Sequence, residues 1–445
     1  MNLNNKKKLI LVMLFAMAAA GFLLKIHRGR AEDLVRLPES TVAVLQAEKS
    51  EAADLTYEDI RDMVRQAVKM AGGFEGLVKD GQTVVVKPNL VGIQGYNGEP
   101  YGAEVSGVTT DWRISKAVVE LVREYNPHGK VYILEGSAMS TREAMQELNY
   151  TPEYIPGADE FIALEEDSAK EGQTVTVKLP GGLLHKEYYL NKKYKEADVL
   201  ISLPCLKNHW HATVTGGIKN VGIGATLRNI YPDRGKMVDH LTTDLHKWIR
   251  DFYLCRPVDF VIMDGLQGIQ NGPSPQAELV PCQMNMRLIL AGRDAVAVDT
   301  IEALIMEWDP ESVDYLRFLN KDSAGNLDTA CIKVVGKRVD EVRQPFEGVE
   351  PPAGGYEIET ENAPKFKIAK QEVKDGVLLV AAEAGKDIHK IEVYVDGILK
   401  PPYILSGFGS LSLALGDLKK GDHEIRLEVY DRFLNRREAV IKVTI

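Results

Sequence analysis

The side chains with the clearest capacity for chemistry lie in the run Lys207-Asn208-His209-Trp210-His211. Because the ordinary pKa of an imidazole lies near neutrality, His209 is a candidate acid–base catalyst. The alternation places His209 and His211 on one side of an extended segment, where His240 or His246 would complete a metal site. The other interpretation is that these histidines pack in the core or face solvent.

The segment 213–224 that follows is rich in glycine. Gly216 and Gly217 allow backbone N–H groups to approach a ligand closely, Lys219 adds a positive charge, and Asn220 adds an amide. The segment lacks the spacing of both the Walker A loop and the dinucleotide-binding fingerprint. It predicts the binding of a phosphate or carboxylate, with a tight structural turn as the alternative.

Polar side chains also follow the other predicted strands. Lys87 and Asn89 follow Thr83–Val86, and Asp264 follows Val258–Met263. The remaining two groups are Glu135 after Lys130–Leu134 and Gly292-Arg293-Asp294 after Arg287–Leu290. Ligands of open α/β sheets bind outside the carboxyl ends of the strands, so we expect all five strand ends to meet at one edge. Lys87 and Asn89 are then ligand-binding candidates, whereas Lys207, His209 and Asp264 are catalytic candidates. Asp264 would orient His209 or bind a cation, and Asp294 could instead be a helix N-cap.

The elements that position these residues alternate between strands and helices over residues 40–345. The predicted strands are Thr41–Leu45, Thr83–Val86, Lys130–Leu134, Asp198–Leu203, Val258–Met263, Arg287–Leu290 and Ile332–Val335. The predicted helices are Tyr57–Met70, Asp111–Tyr125, Asp239–Phe252, Ala295–Met306 and Val313–Leu319. This pattern predicts an α/β domain with a doubly wound, mostly parallel sheet, interrupted by a β-rich insertion over residues 150–195.

The C-terminal part of the chain has a different composition. Residues 346–368 are rich in Pro, Gly and Glu and are predicted to be a linker. Residues 369–445 contain short alternating strands separated by turn residues, which predicts a small immunoglobulin-like β-sandwich. Such a domain in an exported protein suggests a partner at the cell surface.

The first thirty residues are predicted to be a signal peptide or a membrane anchor. Lys6, Lys7 and Lys8 precede an apolar run from Leu9 to Leu24, which is intermediate in length between a signal-peptide core and a membrane span. We therefore expect an extracytoplasmic protein that is membrane-anchored or secreted.

Charge and cysteine content exclude several classes of function. The formal net charge of -10 and the lack of a basic stripe argue against a nucleic-acid partner. The four cysteines include no CxxC pair, which argues against an iron–sulfur cluster and a thiolate zinc site. They are expected either to form one or two disulfides or to be buried thiols. The sequence does not otherwise identify a cofactor, and a metal ion is a candidate.

Four strings resemble the bacterial and archaeal "domain of unknown function 362" family over roughly residues 80–320. They are Val84-Val85-Val86-Lys87-Pro88-Asn89-Leu90, Leu203-Pro204-Cys205-Leu206-Lys207-Asn208-His209, Thr215-Gly216-Gly217-Ile218-Lys219-Asn220 and Asp294-Ala295-Val296-Ala297-Val298-Asp299. Asp264-Gly265 with Gly272-Pro273, and the spacing Lys236 to His240, are similar to further elements of the family. Many members carry ferredoxin-like cysteine clusters, which implies redox chemistry or a metal cofactor, but this sequence lacks them. A more distant likeness to the nickel-pincer lactate racemase concerns the fold alone.

Two functions are compatible with these features. The first is an enzyme that acts on a small carboxylated or phosphorylated substrate, because cationic groups and an acid–base candidate converge on one edge of the sheet. The second is a non-catalytic, surface-tethered protein that binds a ligand or polymer.

Overall fold

The computed structural model describes residues 24–27, 40–231, 243–273, 278–348, 363–374, 376–385, 387–400, 410–415 and 418–445. The chain divides into two compact units, Glu39–Ile358 and a second unit of Glu359–Ile445 with Met1–Pro38. Most of the predicted targeting segment lies outside the described residues. Its residues Leu24–His27 form a short strand, β1, that pairs with Ser410–Leu413 of the second unit.

The first unit contains thirteen described strands and ten described α-helices. The strands are β2 Ser40–Gln46, β3 Thr83–Lys87, β4 Lys130–Glu135, β5 Glu160–Ala163, β6 Thr174–Lys178, β7 Glu187–Asn191, β8 Val199–Ser202, β9 Cys205–His209, β10 Thr213–Val214, β11 Phe260–Ile269, β12 Gln283–Met284, β13 Leu288–Gly292 and β14 Ile332–Gly336. The helices are α1 Tyr57–Met70, α2 Trp112–Tyr125, α3 Thr141–Glu147, α4 Leu164–Asp167, α5 Lys192–Glu196, α6 Gly216–Gly224, α7 Thr243–Cys255, α8 Ala295–Ile305, α9 Asp314–Lys321 and α10 Val339–Val342.

The main sheet is mixed and mostly parallel, which confirms the predicted fold class. Its order is β14-β2-β13-β11-β8-β3-β4-β5, with β9 and β12 beside β11 and β10 beside β9. Consecutive pairs from β11 to β5 are parallel, and β14 is parallel to β2. The strands are buried on both faces because helices cover the sheet, which explains why their sequences are continuous apolar runs.

One strand runs in the opposite direction, and this corrects the predicted site. β13 is antiparallel to both of its neighbours, β11 and β2, with Gly292 opposite Val261 and Val42 at the beginnings of those strands. Gly292-Arg293-Asp294 therefore lies at the edge opposite to the other strand ends, and the prediction of five converging ends was wrong. Asp294 is instead the N-cap of α8, where its Oδ1 accepts the amide of Ala297.

The helices begin where the sequence provides capping groups. Thr56 and Asp59 form a capping box at the start of α1, and Asp111 caps α2. Both helices bury their apolar faces against the sheet, for example through Ile60 and Ile114. The helix predicted to begin at Asp239 is described from Thr243 as α7, since residues 232–242 lie outside the described part.

The β-rich insertion contains the antiparallel pair β6 and β7. The second unit contains β15 Phe366–Lys374, β16 Val377–Ala384, β17 Lys390–Val395, β18 Ile398–Lys400, β19 Ser410–Ala414, β20 Asp422–Tyr430 and β21 Arg436–Thr444. Two antiparallel sheets, β1-β19-β16-β15 and β18-β17-β20-β21, share one apolar core and thus form a sandwich. β15 begins at Phe366, inside the stretch that composition assigned to the linker.

Two further observations concern the whole described chain. None of the four cysteines forms a disulfide, and all four are buried, as the second of the two expectations stated. Across the ranges that the structure describes, no helix combines the length and the apolar character needed to cross a membrane.

Candidate functional site

Lys87 lies at the carboxyl end of β3 and is the centre of a buried ion pair. Its Nζ donates to Glu135 Oε2 at 2.8 Å, to the carbonyl of Pro88 at 2.8 Å and to Asn220 Oδ1 at 3.0 Å. Glu135 follows from β4 and also accepts the amides of Leu90 and Gly136. Because an ammonium has three donors, the protein itself engages all those of Lys87. Lys87 therefore contributes charge to its surroundings rather than a vacant donor.

Asn220 is similarly committed to internal contacts. Its Nδ2 donates to the carbonyl of Lys87 at 3.2 Å and to Ser202 Oγ at 3.0 Å, while its Oδ1 accepts from Lys87. Asn220 thus ties α6 to the ends of β3 and β8. The structure brings this predicted ligand-binding residue to the predicted edge and gives its amide a positioning role there.

The glycine-rich segment is a helix rather than a loop. Residues 216–224 form α6, and Gly216 begins it with a positive φ of 54°. The amides of Gly217 and Ile218 donate to the two carboxylate oxygens of Asp299, at 2.7 and 3.1 Å. These N–H groups, expected to cradle a ligand anion, thus bind a carboxylate of the chain itself.

The glycines of α6 are required by close packing. A Cβ on Gly216 would overlap the carboxylate of Asp299, and a Cβ on Gly217 would lie 2.7 Å from Val261 Cγ2. At the other end of α6, a Cβ on Gly224 would collide with the ammonium of Lys87. The absence of side chains lets α6 approach α8, β11 and the ion pair at once.

Two other lysines reach the same region with donors to spare. Lys207 on β9 is 1% exposed, and the hydrogen bond of its Nζ goes to the carbonyl of Val108 at 2.7 Å. Lys219 on α6 is 9% exposed, and among the described residues its Nζ has no hydrogen-bond or ion-pair partner. Burial lowers the pKa of both amines. The pKa of Lys219 falls to about 7, because the charges of Lys207 and Lys87 add to the desolvation while Glu302 opposes it.

Glu302 provides a buried carboxyl group beside these amines. Its Oε1 accepts the amide of Gly216 at 3.3 Å, whereas its Oε2 has no hydrogen-bond partner in the part of the chain that the structure describes. Burial, together with the charge of Asp299, raises the pKa of Glu302 well above its ordinary value. The hydroxyls of Thr215 and Tyr315 are also buried without partners. Unsatisfied buried polar atoms of this kind are costly and cluster where a ligand or water completes the network.

Asp299 and Glu302 are the functional candidates that the prediction missed as a pair. Both project from α8, a helix whose remaining residues from Ala295 to Ile305 are almost entirely apolar and buried. Their spacing of three residues places them on one face of the helix, towards the N-terminus of α6. Two carboxylates in an otherwise apolar helix were the available signal. Burial raises the pKa of Asp299 to about 8, against the lowering effect of the amides of Ile218 and Gly217.

His209 stabilises the turn of the β-hairpin in which His209 and His211 lie. His209 Nδ1 accepts the amides of His211 and Ala212, at 3.1 and 3.3 Å, inside the turn that joins β9 to β10. The rings of His209 and His211 lie 6.1 Å apart. His246 on α7 contacts the carbonyl of His211 through Nε2 and accepts the amide of Tyr315 at Nδ1, and burial lowers its pKa. His240 lies outside the described residues. Within those residues no group of three or more His, Cys, Asp and Glu is arranged to hold a metal ion.

Asp264 and Asn89 position backbone at the same edge. Asp264 Oδ2 accepts the amide of Asp111 at 2.8 Å and its Oδ1 accepts that of Leu266, so its oxygens hold the start of α2 and do not orient His209. Burial raises the pKa of Asp264 to about 7, with Asp111 adding to the effect. Asn89 donates to the carbonyl of Val108 at 2.9 Å, the oxygen that also accepts from Lys207.

Fold and site together define an α/β protein with a mixed, mostly parallel sheet and a buried lysine–carboxyl cluster at the carboxyl ends of its parallel strands. Residues 84–303, which contain every residue of that cluster, match the family described as Domain of unknown function (DUF362), and this part of the chain belongs to that family.

Comparison with individual proteins gives distant similarities. The chain is 26% identical over 280 residues to the thylakoid-associated protein sll1697 of Synechocystis sp., covering 61% of this chain and 76% of that protein. It is similar to the lactate racemase apoprotein from Thermoanaerobacterium thermosaccharolyticum at 13% identity and a TM-score of 0.32, covering 61% of this chain and 59% of that one. Fibronectin(III)-like modules of Clostridium thermocellum CbhA cover 17% of this chain and 93% of their own, at 17% identity and a TM-score of 0.14.

Proposed function

We propose that the protein is an enzyme that binds a small carboxylated or phosphorylated ligand between the amines of Lys207 and Lys219. One observation carries this proposal: both amines are buried, the charge of Lys207 acts on Lys219, and both have donors that no described residue accepts. Burying like charges is unfavourable, and a bound anion would remove that penalty. Lys87 has its own counter-ion in Glu135, although its charge still contributes to lowering the pKa of Lys219.

The proposed ligand contacts follow from which donors remain. Lys207 has one described acceptor, Val108, and Lys219 has none, so each could donate to an anionic oxygen. Glu302, whose pKa is raised by burial, could in its protonated form donate a proton through the oxygen that lacks a partner among the described residues. Acid–base chemistry is thereby assigned to Glu302 and Lys219, while His209 supports the β9–β10 turn.

Calorimetric titration of the full chain with lactate, pyruvate and inorganic phosphate would test this site. The variants Lys207→Met and Lys219→Met remove one donor each and are expected to weaken binding by about tenfold or more. Lys178→Met, an exposed lysine on β6, is the matched control and should bind as the wild type does. Unchanged affinity in both site variants would refute the proposal.

A second candidate function is non-catalytic binding of a ligand or polymer. It is favoured by the number of strand-end groups that the chain itself satisfies, namely Lys87, Glu135, Asn220 and Asp264. The two candidates differ in Glu302: a binding protein needs no proton donor there. If Glu302→Gln abolishes conversion of a ligand but not its binding, the enzyme is supported, whereas a ligand that binds and is never converted would support the alternative.

We further propose that the first thirty residues direct the chain out of the cytoplasm and tether it to a membrane, leaving the sandwich to contact a cell-surface partner. The basis is the lysine-flanked apolar run from Leu9 to Leu24. Fractionation of cells that express the full chain, or a chain beginning at Ser40, tests this. The full chain should accompany the membranes or the medium, and equal cytoplasmic recovery of both would contradict it.

A further inference from the structure

Lys219 differs from the other two lysines of the cluster in having an amine that nothing in the described chain holds. Lys87 donates three hydrogen bonds and one of them goes to a carboxylate, so its ammonium form is stabilised. Lys207 donates to a carbonyl. Lys219 has no acceptor among the described residues and is 9% exposed. It lies in the first turns of a helix whose N-terminal amides are already occupied by Asp299. An amine in this position has its lone pair available for reaction.

The groups that face Lys219 come from four elements and favour its neutral form on balance. Lys207 on β9 and Lys87 on β3 oppose protonation, and Glu302 on α8 promotes it. His246 on α7 also senses the charge of Lys219. The pKa of about 7 leaves a large neutral fraction at neutral pH, unlike an exposed lysine whose pKa is 10.5. This is the environment that activates lysine as a nucleophile towards carbonyl compounds.

The neighbours supply the two other functions that carbonyl chemistry at an amine requires. Glu302 has a raised pKa and one oxygen without a partner among the described residues, so its protonated form can protonate a departing hydroxyl group. Lys207 has donors left for the carboxylate of the same substrate. A nucleophile, an acid and a carboxylate-binding cation at one place define a substrate in which a carbonyl stands next to a carboxylate.

We propose that Lys219 forms a covalent imine with the carbonyl carbon of a small 2-oxo acid, while Lys207 binds its carboxylate and Glu302 acts as the acid. The Nζ lone pair forms the C–N bond as the C=O π pair moves to oxygen, and the proton lost by nitrogen completes the carbinolamine hydroxyl. Glu302 then protonates that hydroxyl, which leaves as water while the C=N bond forms. The nitrogen of the resulting iminium returns its remaining proton to the Glu302 carboxylate, so the sum is one amine plus one carbonyl giving one imine and one water. The inference rests on the proposed function, because it places the ligand anion on the same lysines.

Borohydride trapping tests the imine. The full chain is incubated with pyruvate, reduced with sodium borohydride and digested, and the peptides are analysed by mass spectrometry. We expect one reduced adduct per chain, on Lys219. Lactate, which has the carboxylate without the carbonyl, should form no adduct and should slow trapping by competition.

Four variants separate the roles of the residues. Lys219→Arg keeps a cation and Lys219→Met keeps the apolar stem, and both should lose the adduct. Glu302→Gln should trap at least about tenfold more slowly than the wild type at saturating pyruvate. Lys178→Met should behave like the wild type. Thermal melting and far-ultraviolet circular dichroism confirm that each variant is folded.

The outcomes distinguish imine formation at Lys219 from the proposed anion binding on which it rests. If pyruvate and lactate bind and the adduct forms on Lys219, the imine and the anion site are both supported. If both ligands bind and no adduct forms on Lys219, or adducts form equally on exposed lysines, the imine is refuted while the anion site survives. If neither ligand binds and no adduct forms, the imine and the anion site are both refuted.

Discussion

At the scale of single residues, the cluster divides into charges that are neutralised and charges that are not. The Lys87–Glu135 pair is 0% and 2% exposed, and every polar atom of it is hydrogen-bonded. Removing one partner of such a pair leaves a buried charge, which is costly even where the intact pair contributes little. Lys219 is in the opposite situation, because its amine has no counter-ion and its pKa falls instead.

This division predicts a large loss of stability when Glu135 is neutralised. Glu135→Gln leaves the ammonium of Lys87 buried without a carboxylate and should lower the free energy of unfolding by about 3–5 kcal/mol. Urea denaturation followed by circular dichroism measures it. The control is Glu166→Gln, which breaks an exposed pair with Arg142, half-exposed on both sides, and should cost less than about 1 kcal/mol. Equal losses in the two variants would contradict this account of the pair.

At the scale of elements, α6 and α8 form the site because α6 lacks side chains where the two helices meet. The motif Thr215-Gly216-Gly217 predicted a close backbone approach correctly, but the approaching group is Asp299 of the same chain. The glycines indicate that another group packs closely against this backbone, but they do not identify that group. Only the three-dimensional position of α8, which begins at the opposite edge of the sheet, identifies the acceptor.

The packing role of Gly217 gives a prediction that separates it from a ligand-binding role. Gly217→Ala places a Cβ 2.7 Å from Val261 Cγ2 and should cost about 1–3 kcal/mol of stability through overpacking. Adding Val261→Ala should recover part of that loss, because the two sites are in contact. Gly181→Ala, where a Cβ would meet nothing within 4 Å, is the control. Denaturation midpoints are measured for the wild type, Gly217→Ala, Val261→Ala, the double variant and Gly181→Ala, and additive losses in the double variant would contradict the packing role.

The direction of β13 shows where sequence reasoning ends for the elements. Most predicted strands match observed ones within a few residues, and α1 matches at both ends, because apolar periodicity and caps are local signals. A buried strand has the same apolar pattern whichever way it runs, so the pattern of Leu288–Gly292 carried no information on its direction. The predicted site was wrong for this reason, because it placed Asp294 at the wrong edge of the sheet.

At the scale of the whole molecule, the chain consists of two units with separate cores. The mixed sheet draws all its strands from residues 40–336, and the sandwich core draws on Phe366 to Val443. Every residue of the lysine–carboxyl cluster belongs to the first unit. The composition change after residue 345 was a sufficient signal for a second domain, whereas the start of β15 within the Pro-rich stretch could not be read from composition.

We therefore expect the first unit to fold and bind without the second. A chain of residues 39–358 should show a cooperative thermal transition and should bind lactate with the affinity of the full chain, because no residue of the proposed site is removed. Circular dichroism and calorimetry check the two statements. A truncated chain that melts without cooperativity would show that the sandwich is needed for folding.

The central claim is that the amine of Lys219 titrates near neutral pH in the free protein and that a bound anion stabilises its ammonium form. Its pKa of about 7 lies below the ordinary 10.5, so a bound carboxylate, which favours the ammonium form, must raise it. Proton uptake on binding then makes the affinity fall by about tenfold per pH unit once the pH exceeds about 7.

Calorimetric titration with lactate from about pH 6 to about pH 9 measures this most directly, because the carboxylate of lactate stays ionised throughout. The wild type should bind about as well at pH 6 as at pH 7 and progressively more weakly above it, whereas Lys219→Met should bind weakly with a shallower dependence on pH. Tight binding that is independent of pH across this range would contradict the assignment of Lys219.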